Sequence, residues 1–138
     1  LNLPAKNVIV FTMACYSGQL IEILNTPAFK ARWENRRAQN RSFVVITAQN
    51  SERIAGPANI GGVMMNALPY AVEQAFLGGA DGYQDERYRG VLDGRITFGE
   101  LIYFALQVSR TAGIGNNNDS QLLGSFDPSL QMANLQMK

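Results

Sequence analysis

Cys15 is the only cysteine of the chain, and there is no histidine at all. It follows Val8-Ile9-Val10-Phe11-Thr12-Met13-Ala14, an apolar run rich in β-branched residues, and precedes Tyr16-Ser17-Gly18. That run reads as a strand buried on both faces. Residues 19–24 carry apolar side chains at helical spacing, so the order is strand, tight turn, helix, with Ser17 placed to cap the helix. In open α/β sheets, sites lie outside the carboxyl ends of the strands. A helix N-terminus there lends positive potential that favours a thiolate nucleophile. Free cysteine is also commonly a small buried apolar residue. With no histidine, neither a Ser-His nor a Cys-His pair can be completed within the chain, so a nucleophilic Cys15 needs its base from elsewhere.

Other groups offer less. Asp93-Gly94 with Glu100 matches positions 5, 6 and 12 of a calcium loop, but positions 1 and 3 are Arg89 and Val91, which cannot ligate. The segment reads instead as a turn followed by the capping box Thr97-Phe98-Gly99-Glu100. Asp81, Asp85 and Glu86 read as solvated loop carboxylates. No metal-ligand set and no cofactor motif is recognised, and one cysteine makes no internal disulfide.

The elements that must position Cys15 alternate. Phe43-Val44-Val45-Ile46-Thr47 lies in a second buried strand, over residues 42–48, followed by a polar loop over residues 49–59. Thr26-Pro27 marks another helix start. The basic segment that follows, with Phe29 and Trp33 as its apolar pair, reads as a solvated helix or loop. Gly61-Gly62 precedes a stripe of Met64, Leu68, Ala71, Val72, Ala75 and Phe76, interrupted by Pro69 and ended by Gly78-Gly79. A polar loop covers residues 80–92, and a helix with Leu101, Ile102 and Ala105 on one face follows the capping box. Residues 113–120 read as a linker, and the tail shows a turn at Asp127-Pro128 but no strong periodicity.

The chain has 138 residues, 46% of them apolar and 17% charged, with a net charge of +1. This is the size of one ordinary domain or a part of one. Charged residues fall below the roughly 25% of typical domains, as expected of a buried sheet or a large face that meets another chain. The near-neutral balance supplies no field for nucleic acid or an anionic membrane. No apolar run approaches the roughly 20 residues of a membrane span. Two parallel strands do not make a stable sheet, so the pattern itself calls for further strands. Residue 1 is Leu, and no signal-peptide pattern precedes the first strand. The chain is therefore expected to be a processed or late-starting piece of a longer precursor. Its compartment, cytoplasmic or exported, is left open.

Five segments, taken in order, resemble the caspase-like (clan CD) cysteine peptidases. The strand ending in Ala14-Cys15-Tyr16-Ser17-Gly18 is similar to the family's nucleophile strand, which in bacterial and legumain-like members reads Ala-Cys-x-Ser-Gly. Val44-Val45-Ile46-Thr47-Ala48-Gln49-Asn50-Ser51-Glu52 resembles the next strand and its pocket-forming loop. Gly61-Gly62-Val63-Met64 resembles the Gly-rich entry to the following helix. Asp93-Gly94-Arg95-Ile96-Thr97-Phe98-Gly99-Glu100-Leu101 resembles the late turn and helix of bacterial and metacaspase-like members. Ser120-Gln121-Leu122-Leu123-Gly124 resembles the closing segment.

The resemblance implies an α/β fold of the three-layer α/β/α caspase-like type with a mostly parallel sheet. Residues 1–138 would be its C-terminal, nucleophile-bearing portion. It implies a cysteine endopeptidase acting on peptide or protein substrates, with Cys15 as nucleophile and its N–H in the oxyanion hole. The histidine base would lie at the end of the preceding strand, in a second chain cut from the same precursor. Leu1-Asn2-Leu3-Pro4-Ala5-Lys6 resembles the connection between the two. That partner is expected to have about 100 or more residues and to share a large apolar interface. The pocket would involve Met13, Ser51 and Glu52. Relatives that cut after Arg or Lys often carry an acid where Met13 stands, which leaves Glu52 to supply the charge.

Two rivals remain at this level. One is a catalytically inactive caspase-like domain used for protein interaction. The other is a flavodoxin-like binding domain, for which the Cys15 turn makes a poor phosphate loop.

Overall fold

The structure, a computed structural model, describes residues 4–134. The first three residues of the expected connection and the last four of the tail lie outside the described residues. The chain is a mixed α/β fold of two compact units. One comprises residues 4–56 and Asn117–Phe126, the other Pro57–Asn116 and residues 127–134.

The first unit is built on β1 (Asn7–Thr12), β2 (Ser42–Thr47) and β6 (Leu122–Ser125), in the order β1-β2-β6. β1 and β2 are parallel, with Val10 opposite Val45. β2 and β6 are antiparallel, with Val45 opposite Leu123. Every residue of β2 is buried, as its apolar centre Phe43-Val44-Val45-Ile46 leads one to expect, and the polar Ser42 and Thr47 at its ends are buried with it. The sheet expected to be mostly parallel is therefore mixed here, one parallel and one antiparallel pair. β6 is a correction to the reading of the tail: its Leu122-Leu123-Gly124-Ser125 is too short to show a period, yet it supplies the third strand.

α1 (Gly18–Leu24) and α2 (Pro27–Ala38) cover one face of this sheet. Leu24 and Trp33 form a core with Phe43, Val45 and Leu123, against which Val8, Val10, Leu20, Ile21 and Phe29 pack. A fully buried aliphatic or Phe side chain in such a core contributes about 1.5–3 kcal/mol, and the partly buried ones contribute less. Pro27 opens α2 as expected, but Thr26 makes no side-chain cap and donates instead to the Ile23 carbonyl at 2.7 Å. α2 is not merely solvated. Trp33 is buried and donates through Nε1 to the Leu24 carbonyl at 3.0 Å. Arg36 is buried as well and donates to the carbonyls of Ala5 at 2.8 Å and Ser42 at 3.5 Å.

The second unit begins with a hairpin, β3 (Ala58–Ile60) and β4 (Val63–Met65). Gly61-Gly62 is its two-residue turn, with φ of +61° and +86°. Two successive positive φ values define the hairpin turn that favours glycine twice. This corrects the expected helix entry: Met64 lies on a strand, exposed, and α3 (Ala67–Gln74) starts after Asn66. Pro69 falls in the first turn of α3, where its missing N–H costs nothing. A π-helical turn, Ala75–Gly79, ends the segment at Gly78.

β5 (Arg95–Thr97) leads into α4 (Phe98–Thr111), which carries the expected capping box in full. The Glu100 N–H donates to Thr97 Oγ1 at 3.2 Å, and the Thr97 N–H donates to Glu100 Oε2 at 2.9 Å. β7 (Gln131–Asn134) pairs antiparallel with β5, a second strand that the tail's sequence did not announce. α3 packs against α4. Among the described residues, no helix is long and apolar enough to cross a membrane.

Candidate functional site

Cys15 stands three residues beyond the carboxyl end of β1 and three before α1, in a turn. Its side chain is exposed. Tyr16 next to it has φ of +56°, a left-handed conformation rarely taken by a bulky residue. The turn is held in that shape by the loop that leaves β2. The Tyr16 N–H donates to the Arg53 carbonyl at 2.9 Å, and Cys15 Sγ donates to the Ala55 carbonyl at 3.8 Å. The Cys15 N–H has no acceptor among the described residues.

Ser17 does not cap α1. Its own backbone is already helical, and its buried Oγ is engaged elsewhere. It accepts from the Gln49 N–H at 3.1 Å and donates to the Gln49 carbonyl at 3.3 Å. The expected local cap is thus replaced by a long-range clasp between the cysteine turn and the end of β2.

Of the pocket residues named from the sequence, Met13 is exposed one position past β1, and Ser51 is half-buried in the turn after Asn50. Glu52 is exposed. Its N–H donates to Asn50 Oδ1 at 2.9 Å, and its carboxylate joins no ion pair among the described residues. The loop bearing Ser51 and Glu52 is therefore brought to the cysteine turn, through Arg53 and Ala55.

Sequence reading missed the residues that shape this loop. Gln49 is fully buried, and its amide is saturated. Oε1 accepts from the N–H groups of Asn50 at 2.9 Å and Asp119 at 2.8 Å. Nε2 donates to the carbonyls of Asn117 at 3.0 Å and Ile54 at 3.3 Å. Asn118 is also buried; it accepts from the Gly56 N–H at 3.2 Å and donates to the Gly56 carbonyl at 3.0 Å. The visible signals were a glutamine directly after an apolar strand and a run of three asparagines, Asn116 to Asn118, in the linker.

In the second unit the carboxylates serve the backbone. Asp81 accepts from the N–H groups of Asp93 at 3.1 Å and Gly94 at 2.9 Å. Glu100 is buried, and its Oε1 accepts from Gly82 at 3.2 Å and Val91 at 2.9 Å. Asp85 accepts from Arg87 Nε at 3.1 Å and from the Tyr83 hydroxyl at 2.8 Å. The Arg87 guanidinium holds the Asp85 carboxyl down at about 2. Burial, then the Asp85 partner, pushes the Tyr83 hydroxyl up. Among the described residues no three His, Cys, Asp or Glu side chains gather as a metal site.

Comparison of the chain with protein-family models, with curated proteins and with solved structures finds no match.

Proposed function

We propose that this chain is the nucleophile-bearing, C-terminal part of a three-layer α/β/α caspase-like cysteine endopeptidase, made by proteolytic processing of a precursor. The observation that carries the reading is Cys15 itself. It is exposed in the turn that follows a parallel strand, with its own N–H unclaimed by any described residue. In the proposed reaction the Cys15 sulfur attacks the scissile carbonyl, and the carbonyl oxygen becomes an oxyanion. The Cys15 N–H and a second N–H near the base receive it. A histidine from the segment preceding this chain takes the thiol proton and passes it to the leaving amine. Water, deprotonated by the same histidine, then releases the acyl group. Met13, Ser51 and Glu52 line the pocket for the substrate side chain.

The second support is the edge of β1. Among the described strands β1 pairs only with β2, so its other edge is open, while Val8, Ile9, Val10 and Phe11 are only partly exposed. An apolar open edge fits a further parallel strand, and the histidine-bearing half is the partner this reading assigns to it.

The test uses the full precursor, including the segment that precedes this chain. Cys15→Ala and Cys15→Ser are compared with the wild type for hydrolysis of a peptide library and for processing of the precursor. Loss of both in a folded variant is the expected result. Activity within a few-fold of wild type overturns the nucleophile assignment. A wild type that cleaves nothing, while still binding the histidine-bearing half, favours an interaction domain.

A further inference from the structure

We infer that Asn118 is a positioning residue: together with Gln49 it latches both ends of the loop over residues 50–56 and so fixes the wall of the candidate site. The kinetic consequence rests on the peptidase reading; the latch itself does not.

The argument begins with burial. A buried amide costs free energy unless its hydrogen bonds are made. Gln49 meets that requirement by binding the loop's first N–H, at Asn50, and the carbonyl of Ile54 near its end. Asn118 meets it by binding both backbone groups of Gly56, where the loop leaves the site. The two amides converge on one short stretch, since Gln49 also binds the backbone of Asn117 and Asp119 on either side of Asn118.

That stretch is anchored in turn. Ser120 Oγ donates to the Ala48 carbonyl at 3.1 Å, and the Gln121 N–H donates to Thr47 Oγ1 at 3.1 Å. The loop is therefore closed into a ring by residues nearly 70 positions away in sequence. The carbonyls of Arg53 and Ala55, which meet the cysteine turn, are on that ring. A wall held this way is pre-organised, and substrate need not order it.

Asn118→Ala removes both Gly56 bonds without touching a residue of the reacting centre. In the full precursor we expect KM for a cleaved peptide to rise about tenfold, from loss of hydrogen bonds to a buried partner. The kcat is expected to stay within about threefold, the signature of lost uniform binding. Without substrate, alkylation of Cys15 by iodoacetamide should quicken about tenfold as Ala55 leaves the thiol, and exchange of the Gly56 amide should quicken with it. Unchanged alkylation and unchanged Gly56 exchange in folded Asn118→Ala overturn the latch, as does a fall in kcat at constant KM. If Asn118→Ala does not fold, Asn118→Asp makes the same test, because aspartate keeps the acceptor for the Gly56 N–H and loses the donor to the Gly56 carbonyl. Asn118→Asp alkylating faster than wild type supports the latch; an equal rate with unchanged Gly56 exchange overturns it. A wild type that cleaves no peptide defeats the peptidase reading, and the alkylation and exchange rates still decide the latch.

Discussion

Gly18 lies against the backbone of Asn50, so close that no side chain fits between them. A Cβ on Gly18 would stand 2.5 Å from the Asn50 carbonyl carbon and 2.7 Å from its Cα, and would strike the Ser51 N as well. These are backbone atoms and cannot rotate away. The contact sets how closely α1 approaches the loop after β2.

Gly18→Ala poses two effects of opposite sign. At the first position of a helix, alanine in place of glycine gains at most about 1 kcal/mol from propensity. The clash costs about 1–3 kcal/mol, as overpacking does. We expect the clash to win, with lower stability in chemical denaturation and a loop displaced from Cys15. A Gly18→Ala variant as stable as wild type, with unchanged Cys15 alkylation, would show that the loop does not rest on Gly18.

Glu52 is exposed and joins no ion pair among the described residues; on the proposed peptidase reading, its charge is the one offered to the substrate. Glu52→Gln should lower kcat/KM for substrates with Arg or Lys at the cleaved position by about fivefold, the scale of an exposed charge pair. Substrates with apolar residues there should be unaffected. The check is a library varied at that position. Unchanged preference, or a native preference for Asp or Asn, rules out this role for Glu52.

Asp85 makes stability depend on acid. Its carboxyl titrates at about 2 in the folded chain, below the ordinary value of about 3.9 in an unfolded one. The depressed value means that the folded state holds the charged form more tightly. Its contribution is fully present above about pH 4 and is lost as pH falls from there through 2. Solvent screening keeps it to about 1 kcal/mol or less. Urea denaturation from pH 5 to 2 should show wild type losing this increment and Asp85→Asn lacking it throughout. Parallel curves for the two proteins would place the acid sensitivity elsewhere.

Glu100 ties three backbone donors, those of Gly82, Val91 and Thr97, to one buried carboxylate. Glu100→Gln keeps the shape but turns one acceptor oxygen into a donor that faces an N–H. We expect a loss of about 1–3 kcal/mol, with faster amide exchange at Thr97 or at Gly82 and Val91, according to which oxygen is replaced. Stability within about 0.5 kcal/mol of wild type, the range of surface changes, would show that the carboxylate does not knot this loop.

The elements that could be read from the sequence are those whose signal is local. β2 has an apolar run, Phe43 to Ile46, at its centre, and the Thr97–Glu100 box carries both of its partners within one turn. Cys15 could be placed for the same reason, since its strand and helix flank it directly. Readings failed where a distant partner decides the outcome. Ser17 has the right type and position for a cap, but Gln49, 32 residues on, claims its hydroxyl. Gly61-Gly62 fits a helix entry as well as a hairpin, and only the pairing of Ile60 with Val63 selects the hairpin. β6 and β7 are four residues each and gain their identity from β2 and β5. Asn118 gave no sign of its partner, because an amide 62 residues from Gly56 leaves no pattern in a single chain.

The distance between Gln49 and its partners also sets an order in time. β1 and β2 can pair once the chain has grown to Thr47, but Asn117 lies 68 residues beyond Gln49. At about 5–20 residues per second of synthesis, several seconds pass between the two. Through that interval the loop beside the cysteine turn lacks its anchors at Asn117 to Asp119, and the Gln49 amide must be satisfied by water. Contacts of such long sequence separation also form slowly in refolding, because loop closure precedes their reward. The cysteine turn is thus made early and its loop is braced late, so a nascent or truncated chain ending before Asn117 carries Cys15 beside a loop that only the finished protein holds in place.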